Sequence, residues 1–346
     1  SVILHVVSEA DTEITRTNGE QIPQLLLTCP ENVRLHYHEL CVADQYPACH
    51  PILASLPKLT IHSWLTALQT ERLEQKARLI TQRLALCNRN WEDAFFITLA
   101  RNFGFGLNGD AFETWAGLLP FRALDKHRND LFQIEAFFYG LAGLLEETFL
   151  KKEQEDEYSL RLCKEFRYLQ RKFEIGQGMD ATLWRFLRLR PENFPHIRLA
   201  QLAYLYQKGD KLFSRLLEAE TLADVRTLLD ARTSPYWENH YLFGRPSSQK
   251  EKTMGERSKD LIIINTVVPF LYTYGLHKTD ERMCERAGRF LEELKAESNH
   301  IIRSWSDAGL PVVSAADSQA LIQLQKEYCD KRKCLYCRFG YEYLKH

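Results

Sequence analysis

The segment CDKRKCLYC, residues 329–337, places three cysteines within nine positions near the end of the sequence. Two of them form a C-x-x-C pair, a spacing at which thiolates can bind one tetrahedral zinc ion from a tight turn. Further cysteines occur in CVADQYPACH, residues 41–50, where the second precedes a polar turn and is our choice of fourth ligand. This interpretation predicts a structural zinc site formed by Cys49, Cys329, Cys334 and Cys337.

Two other interpretations fit the same cysteines. Cysteine is among the most buried residue types and often packs as a small apolar side chain. A C-x-x-C pair beside Lys331, Arg332 and Lys333 could also be a redox pair with a lowered pKa, although the strand-then-helix setting of such sites is absent. The sequence leaves the metal, packing and redox interpretations open.

The segment LWRFLRLRPENFPHIRLAQ, residues 183–201, alternates arginines with aromatic residues. Guanidinium groups bind phosphate oxygens through paired hydrogen bonds, and aromatic rings stack on bases. Arg185 and Arg188 are three residues apart, so we expect them on one helix face. The predicted phosphate-binding residues are Arg185, Arg188, Arg190 and Arg198.

The alternative is a corner between helices, where the arginines bind helix-end carbonyls and nearby carboxylates such as Glu192. In that case the aromatic rings belong to the core.

No catalytic residue can be assigned. In ARNFGFGLNGDAFE, residues 100–113, the glycines resemble a phosphate-binding loop, but no Lys-Ser/Thr follows them. We favour a helix that ends at Gly104 and a polar turn into a helix near Asp110. Glu113 and Glu135 lie in apolar sequence, where burial raises the pKa of a carboxyl group, but a salt bridge to Arg101 or another arginine explains them equally well.

The elements that must position these residues are mostly helices. The first residues, SVILHVV, read as a strand, and Asn18-Gly19 predicts a tight turn into a second strand at residues 22–27. From residue 31 the apolar spacing is helical, with helices expected at 158–173, 196–207 and 211–231, among others. We predict a mainly α protein, an irregular multi-helix array with a small N-terminal β-hairpin. The expected domains are a β element at 1–30 and a helical domain at 31–346 that contains the cysteine cluster.

Composition limits the classes of partner. Lys and Arg total 45 against 46 Asp and Glu, so overall charge favours neither nucleic acid nor a membrane surface, and such binding needs a local patch. Nine cysteines in a long chain without a leader-like segment fit a reducing cytoplasm. The most apolar run, residues 261–272, is shorter than the roughly 18 residues that a membrane span requires, so we expect no membrane partner.

Long strings of the sequence carry a resemblance to a known family, notably TNGEQIPQLLL, LARNFGFGLN, RLRPENFPHIRLAQLA, SPYWENHYLFG, INTVVPFLYTYG, DSQALIQLQKEYC and CLYCRFG. They resemble an uncharacterised bacterial family that carries only a domain-of-unknown-function label. Members of that family look longer at the N-terminus, where an upstream segment resembles the PD-(D/E)XK nuclease core. The resemblance implies that residues 1–30 are the remnant of a nuclease-like sheet whose metal-binding acidic residues are not in this chain.

The same resemblance implies that a Pro-x-Cys or Pro-Cys near Cys49 accompanies the closing cysteine cluster. This sequence reads Pro-Ala-Cys at that point, which is one residue longer.

Two functions from different classes follow. The first is a helical nucleic-acid-engaging or scaffolding portion of a nuclease-like protein, not catalytic by itself. The second is a non-catalytic helical adaptor that binds proteins.

Overall fold

A computed structural model describes residues 2–44, 47–150, 152 and 155–345 of the chain. Its helices are α1 Glu31–Val42, α2 His50–Leu53, α3 Lys58–Leu86, α4 Trp91–Phe103, α5 Gly109–Gly117, α6 Phe121–Asp125, α7 Leu131–Leu141, α8 Glu157–Lys172, α9 Pro195–Lys208, α10 Leu212–Glu218, α11 Leu222–Leu228, α12 Glu256–Ile262, α13 Val268–Lys278, α14 Glu281–Glu293, α15 His300–Asp307, α16 Ala315–Leu324 and α17 Arg338–Lys345. Its strands are β1 His5–Val7, β2 Gln24–Leu26, β3 His240–Leu242 and β4 Arg245–Pro246. The predicted fold class, a mainly α multi-helix array with small β elements, is confirmed.

The chain divides into two compact units, each with its own apolar core. Unit 1 comprises Ser1–Thr70, Ala296–Val313 and Asp317–His346, and unit 2 comprises Glu71–Lys295 and Ser314–Ala316. Residue 1, where the expected β element begins, and residue 346, where the expected helical domain ends, lie outside the described residues. The separate β domain at residues 1–30 stays a prediction.

The N-terminal β element has the predicted turn but a different strand pairing. Gly19 has a φ of +81°, its N–H donates to the Arg16 carbonyl oxygen, and Thr15 and Gln21 form an antiparallel bridge. The ladder stops at Pro23, which has no N–H to donate. Strand β2 then pairs in parallel with β1, with His5 opposite Gln24.

Unit 1 has a core of helical residues around large buried side chains such as Trp305, Leu68 and Phe339. Helix α17 packs against α1 and α2, and it follows a short 3-10 turn at Cys334–Tyr336. Cys49 and Cys337 are themselves buried members of this core. Cys329 and Cys334 are partly buried and pack against it.

Unit 2 is built around α7, in which every residue from Ile134 to Leu141 is buried. A helix that is apolar on all sides must be covered by neighbours on all sides. Helices α8 and α9 both pack on α7, and Phe96 of α4 and Trp115 of α5 contact the ring of Phe138. Three polar side chains complete the packing, because Trp115 Nε1 donates to Phe138 O, Tyr139 OH to His196 O and Trp184 Nε1 to Ala142 O.

No helix in the described part of the chain is both long and apolar enough to cross a membrane.

Glu135 is the one ionisable acid on the buried face of α7. It is fully buried and accepts a hydrogen bond from the Tyr158 hydroxyl of α8, whose ring stacks on Tyr236. Burial raises the pKa of Glu135 to about 7, although hydrogen bonds from Tyr158 and neighbouring groups oppose the rise. No arginine or lysine compensates this carboxyl group in the described residues.

The pKa of Glu135 predicts how stability depends on pH. The folded carboxyl holds its proton more tightly than the unfolded one, whose ordinary pKa is 4.5. Its contribution to the free energy of unfolding is therefore present below pH 4.5 and lost as pH rises through about 7. We expect Glu135→Gln to remove this part of the pH dependence when melting temperature is measured across the interval.

The control is Glu285→Gln, which changes an exposed glutamate on α14. Comparing variants with the unchanged protein cancels the contributions of all other groups. Parallel curves for the unchanged protein and Glu135→Gln would contradict the assignment.

Candidate functional site

The segment 184–190, called the arginine loop below, is irregular rather than helical. It lies between two 3-10 turns at Ala181–Leu183 and Pro191–Asn193. Arg188 has a φ of +65°, and Arg190, which precedes a proline, is extended. The expectation that Arg185 and Arg188 share a helix face is therefore wrong.

Residues 104–109, between α4 and α5, are called the glycine loop below. The buried side chain of Asn108 attaches the arginine loop to the glycine loop. The Asn108 amide nitrogen donates to the Arg185 carbonyl oxygen at 2.9 Å, and the Asn108 amide oxygen accepts from the Arg185 N–H at 2.8 Å. Asn108 is 2% exposed, so both hydrogen bonds are shielded from water. This pair of bonds fixes the backbone of the loop without using its guanidinium groups.

The four predicted arginines have two different environments. Arg185, Arg188 and Arg190 are exposed, and none has a carboxylate partner within ion-pair distance in the described part of the chain. The nearby carboxylate of Glu192 is instead paired with Lys250 at 2.5 Å. Three cations of the four thus face solvent on one loop.

Arg198 is buried and belongs to the interior. It donates to Gln201 Oε1 at 2.8 Å and to Asn193 Oδ1 at 2.5 Å, and its guanidinium carbon lies 4.4 Å from the centre of the Phe105 ring. Burial lowers the pKa of Arg198 to about 10. These contacts link α9 to the glycine loop through side-chain amides and a ring, rather than through the helix-end carbonyls and carboxylates that the structural alternative named.

The aromatic residues between the arginines also pack inward. Trp184 is buried against Phe112, and Phe186 packs on Phe149, Phe194 and the buried His196. These rings are occupied by the core and do not form a platform for bases.

The glycine loop has the simple role that the sequence favoured. Helix α4 ends at Phe103 with Gly104 as its C-cap, and α5 begins at Gly109. A Cβ atom on Gly104 would lie 2.4 Å from the Gly109 nitrogen, so only glycine permits this tight turn.

The two acidic candidates are held by the protein itself. Glu113 forms ion pairs with Arg83 and Arg101; partial burial opposes its ionisation, but the two guanidinium groups outweigh this effect and lower its pKa. Arg101 also binds Asp110 at 2.6 Å. With Glu135 fully buried, neither carboxyl group is presented to a substrate.

The four predicted metal-binding cysteines lie close to one another in unit 1, and all are reduced. Burial raises the pKa of the Cys49 thiol, and the neighbouring Cys337 and Cys334 thiols raise it further. Burial likewise raises the pKa of Cys329, which interacts with Cys337, Cys49 and Cys334. The sequence analysis predicted that these four cysteines share one site, from the spacing of the last three and the choice of Cys49 as the fourth.

Cys337 has polar groups around its sulfur. Burial raises its pKa, and the backbone N–H groups of Gly340 and Phe339 and the indole N–H of Trp64 oppose the rise. That indole N–H is buried and has no hydrogen-bond partner among the described residues. A Cβ atom on Gly340 would lie 2.2 Å from the Cys334 carbonyl oxygen, so glycine is required for this turn.

Two observations qualify what the thiols can do. Among the described residues, no three His, Cys, Asp or Glu side chains are arranged so that they could hold a metal ion. The pKa values of Cys334 and Cys337 are raised by burial, opposite to the lowering that a reactive redox pair requires.

The sequence analysis missed a basic face on α8. The sequence signal for this face is a set of basic residues at helical spacing. The exposed residues of the face are Lys164, Arg167, Tyr168 and Arg171.

Fold and sites together define a mainly helical protein with exposed cationic surfaces, an interior cysteine cluster and no exposed catalytic constellation among the candidates. The chain belongs to the family described as "Protein of unknown function (DUF2851)", which matches residues 1–300. No curated protein and no solved structure matches it.

Asn108 provides a test of how the arginine loop is held. Asn108→Ala leaves the N–H and carbonyl of Arg185 without partners, and we expect a loss of about 1–3 kcal/mol in the free energy of unfolding. Chemical denaturation measures this loss. The control is Asn129→Ala, which removes the same amide from an exposed position. Equal stability of the two variants would show that the Asn108–Arg185 hydrogen bonds do not hold the loop.

Proposed function

We propose that unit 2 contacts the phosphate groups of nucleic acid through the arginine loop, as the helical part of a nuclease-like protein. The carrying observation is that Arg185, Arg188 and Arg190 are exposed on a fixed loop without carboxylate partners in the described residues. The nuclease-like part of the proposal rests on the resemblance of an upstream segment to PD-(D/E)XK nucleases.

The exposed arginines can bind phosphate at a low cost in free energy. A guanidinium group that is already paired must break that pair before it binds phosphate, whereas these three need only lose water. The loop backbone is fixed by Asn108, so less conformational entropy is lost when a ligand binds. Such contacts release counterions, and affinity then falls with salt.

One observation favours the second candidate, a protein-binding adaptor. Leu183 is 50% exposed and Leu187 is 82% exposed, beside the same arginines. Arginine is enriched in protein interfaces, and exposed apolar side chains beside it would add contact area whose contribution depends less on salt.

We propose in addition that Cys49, Cys329, Cys334 and Cys337 bind a structural zinc ion in unit 1. Four neighbouring thiols with N–H groups near one sulfur match the donor set and outer hydrogen bonds of tetrahedral thiolate sites. A cation would reverse the burial effect on these thiols by stabilising their thiolate forms. The sulfurs must move together to coordinate it, as expected where metal binding is coupled to local folding.

The nucleic-acid proposal predicts the salt dependence of binding. For the double variant Arg185→Ala/Arg188→Ala, the slope of log affinity against log salt concentration should decrease by about 1.4, or about 0.7 per lost contact with a single strand. Fluorescence anisotropy with a labelled oligonucleotide measures the slope.

The matched control is Lys278→Ala/Arg282→Ala, which removes two exposed cations from the same unit. It should leave the slope close to that of the unchanged protein. Salt-independent binding, or a slope unaffected by the loop substitutions, would overturn the nucleic-acid proposal and favour the adaptor.

The zinc proposal predicts metal content. Purified protein should contain about one zinc ion per chain, and Cys334→Ser and Cys49→Ser should each abolish it and lower the melting temperature. Cys87→Ser, in unit 2, should retain the metal. Protein that contains no zinc and takes up no cobalt on titration would overturn this proposal.

A further inference from the structure

Helix α8 has two opposite faces. Its core face follows a helical spacing, with Tyr158 bonded to Glu135 and Glu165 bonded to Gln133 of α7. The outer face is offset by two residues, about 200° around the helix axis. The core positions are Tyr158, Leu162, Glu165 and Leu169, and the outer positions are Leu160, Lys164, Arg167 and Arg171.

The outer face forms one wall of a groove. A cavity of about 470 Å³ is lined by the outer residues of α8 together with Leu145 and Leu150. A second cavity of about 360 Å³ adjoins it and shares Leu145, Cys163 and Arg167. Together they have a volume typical of sites that bind small ligands.

The groove has a cationic wall and one exposed ring. Lys164 and Arg171 have no ion-pair partner in the described part of the chain. Arg167 is 3.3 Å from Glu147, but both side chains are largely exposed, so the pair is weak and easily exchanged. Tyr168 lies between the cations and is 54% exposed.

The acidic residues that line the groove come from the chain before α8. Glu155 directly precedes α8, and Glu146 and Glu147 belong to the segment before it. Within α8 itself, Glu165 turns to Gln133 at 2.7 Å. The stripe from residue 164 to residue 171 therefore has no acidic residue on its own face.

We propose that this groove binds single-stranded nucleic acid, with phosphates on Lys164, Arg167 and Arg171 and a base on Tyr168. The inference rests on the proposed nucleic-acid function and identifies its partner as a single strand. Charge complementarity selects the phosphate chain, and an exposed ring between cations is the arrangement that stacks an unpaired base. A double helix keeps its bases stacked on one another, so Tyr168 has nothing to bind in a duplex.

The groove is adjacent to the arginine loop. Leu150 lines the groove, and its neighbour Phe149 packs on Phe186 of the loop with ring centres 6.2 Å apart. Residues 149 and 150 therefore contact both the arginine loop and the groove.

The test measures binding of the full chain to a labelled single strand of about 16 nucleotides and to a duplex of equal length. Lys164→Gln/Arg171→Gln should reduce the salt slope for the single strand by about 1.4. Tyr168→Ala should weaken single-strand binding about tenfold without changing the slope, and Tyr168→Phe should restore it. Duplex binding should change little with either Tyr168 variant.

Lys278→Gln/Arg282→Gln is the charge-matched control, and circular dichroism shows whether each variant is folded. If the α8 variants bind the single strand normally while Arg185→Gln/Arg188→Gln does not, the groove inference fails and the proposed function stands. If the unchanged protein shows no salt-sensitive binding to either oligonucleotide, both fail.

Discussion

The all-round burial of α7 is the constraint on which unit 2 depends. Because its residues from Ile134 to Leu141 are buried, the neighbouring helices have to enclose it, and the tightest approach is at Gly140. A Cβ atom there would lie 2.2 Å from the ring of Phe166 on α8, so glycine allows α8 to pack closely. The polar side-chain atoms of Trp115, Tyr139 and Trp184 donate to carbonyl oxygens of α7, α9 and the α7 C-cap, respectively. Removing one of these hydrogen bonds would cost about 1–3 kcal/mol in the free energy of unfolding.

Both cationic surfaces follow from this arrangement. Once Tyr158 and Leu162 face α7, helical geometry turns Lys164 and Arg171 outward. On another side, Trp184 donates to the carbonyl of Ala142 at the end of α7, which positions the arginine loop beside Asn108. Most of these cations have no ionic partner among the described residues, and exposed ion pairs are weak, so the cations contribute little to the free energy of unfolding.

Patterns that depend on local spacing were predicted well, whereas those that depend on tertiary packing were not. The helices expected at 158–173 and 196–207 are α8 and α9 within a residue or so at each end, but the helix expected at 211–231 is divided, because Thr221 and Asp224 form a capping box that starts α11. Arg198 is buried, whereas Arg188 and Arg190 in the same segment are exposed. The sequence does not distinguish the three arginines, because their burial depends on tertiary packing. The antiparallel ladder ends at Pro23 and β2 pairs in parallel with β1 instead, a choice of partner that local strand patterns do not specify.

The central claim is that nucleic acid lies on these two surfaces, and photochemical cross-linking tests it most directly. A single-stranded oligonucleotide carrying 4-thiothymidine would be irradiated with the unchanged protein and the modified peptides identified by mass spectrometry. The account predicts adducts on peptides that contain Tyr168 and on peptides from the arginine loop, and their loss at high salt. Adducts confined to other parts of the chain, or none at low salt, would contradict it.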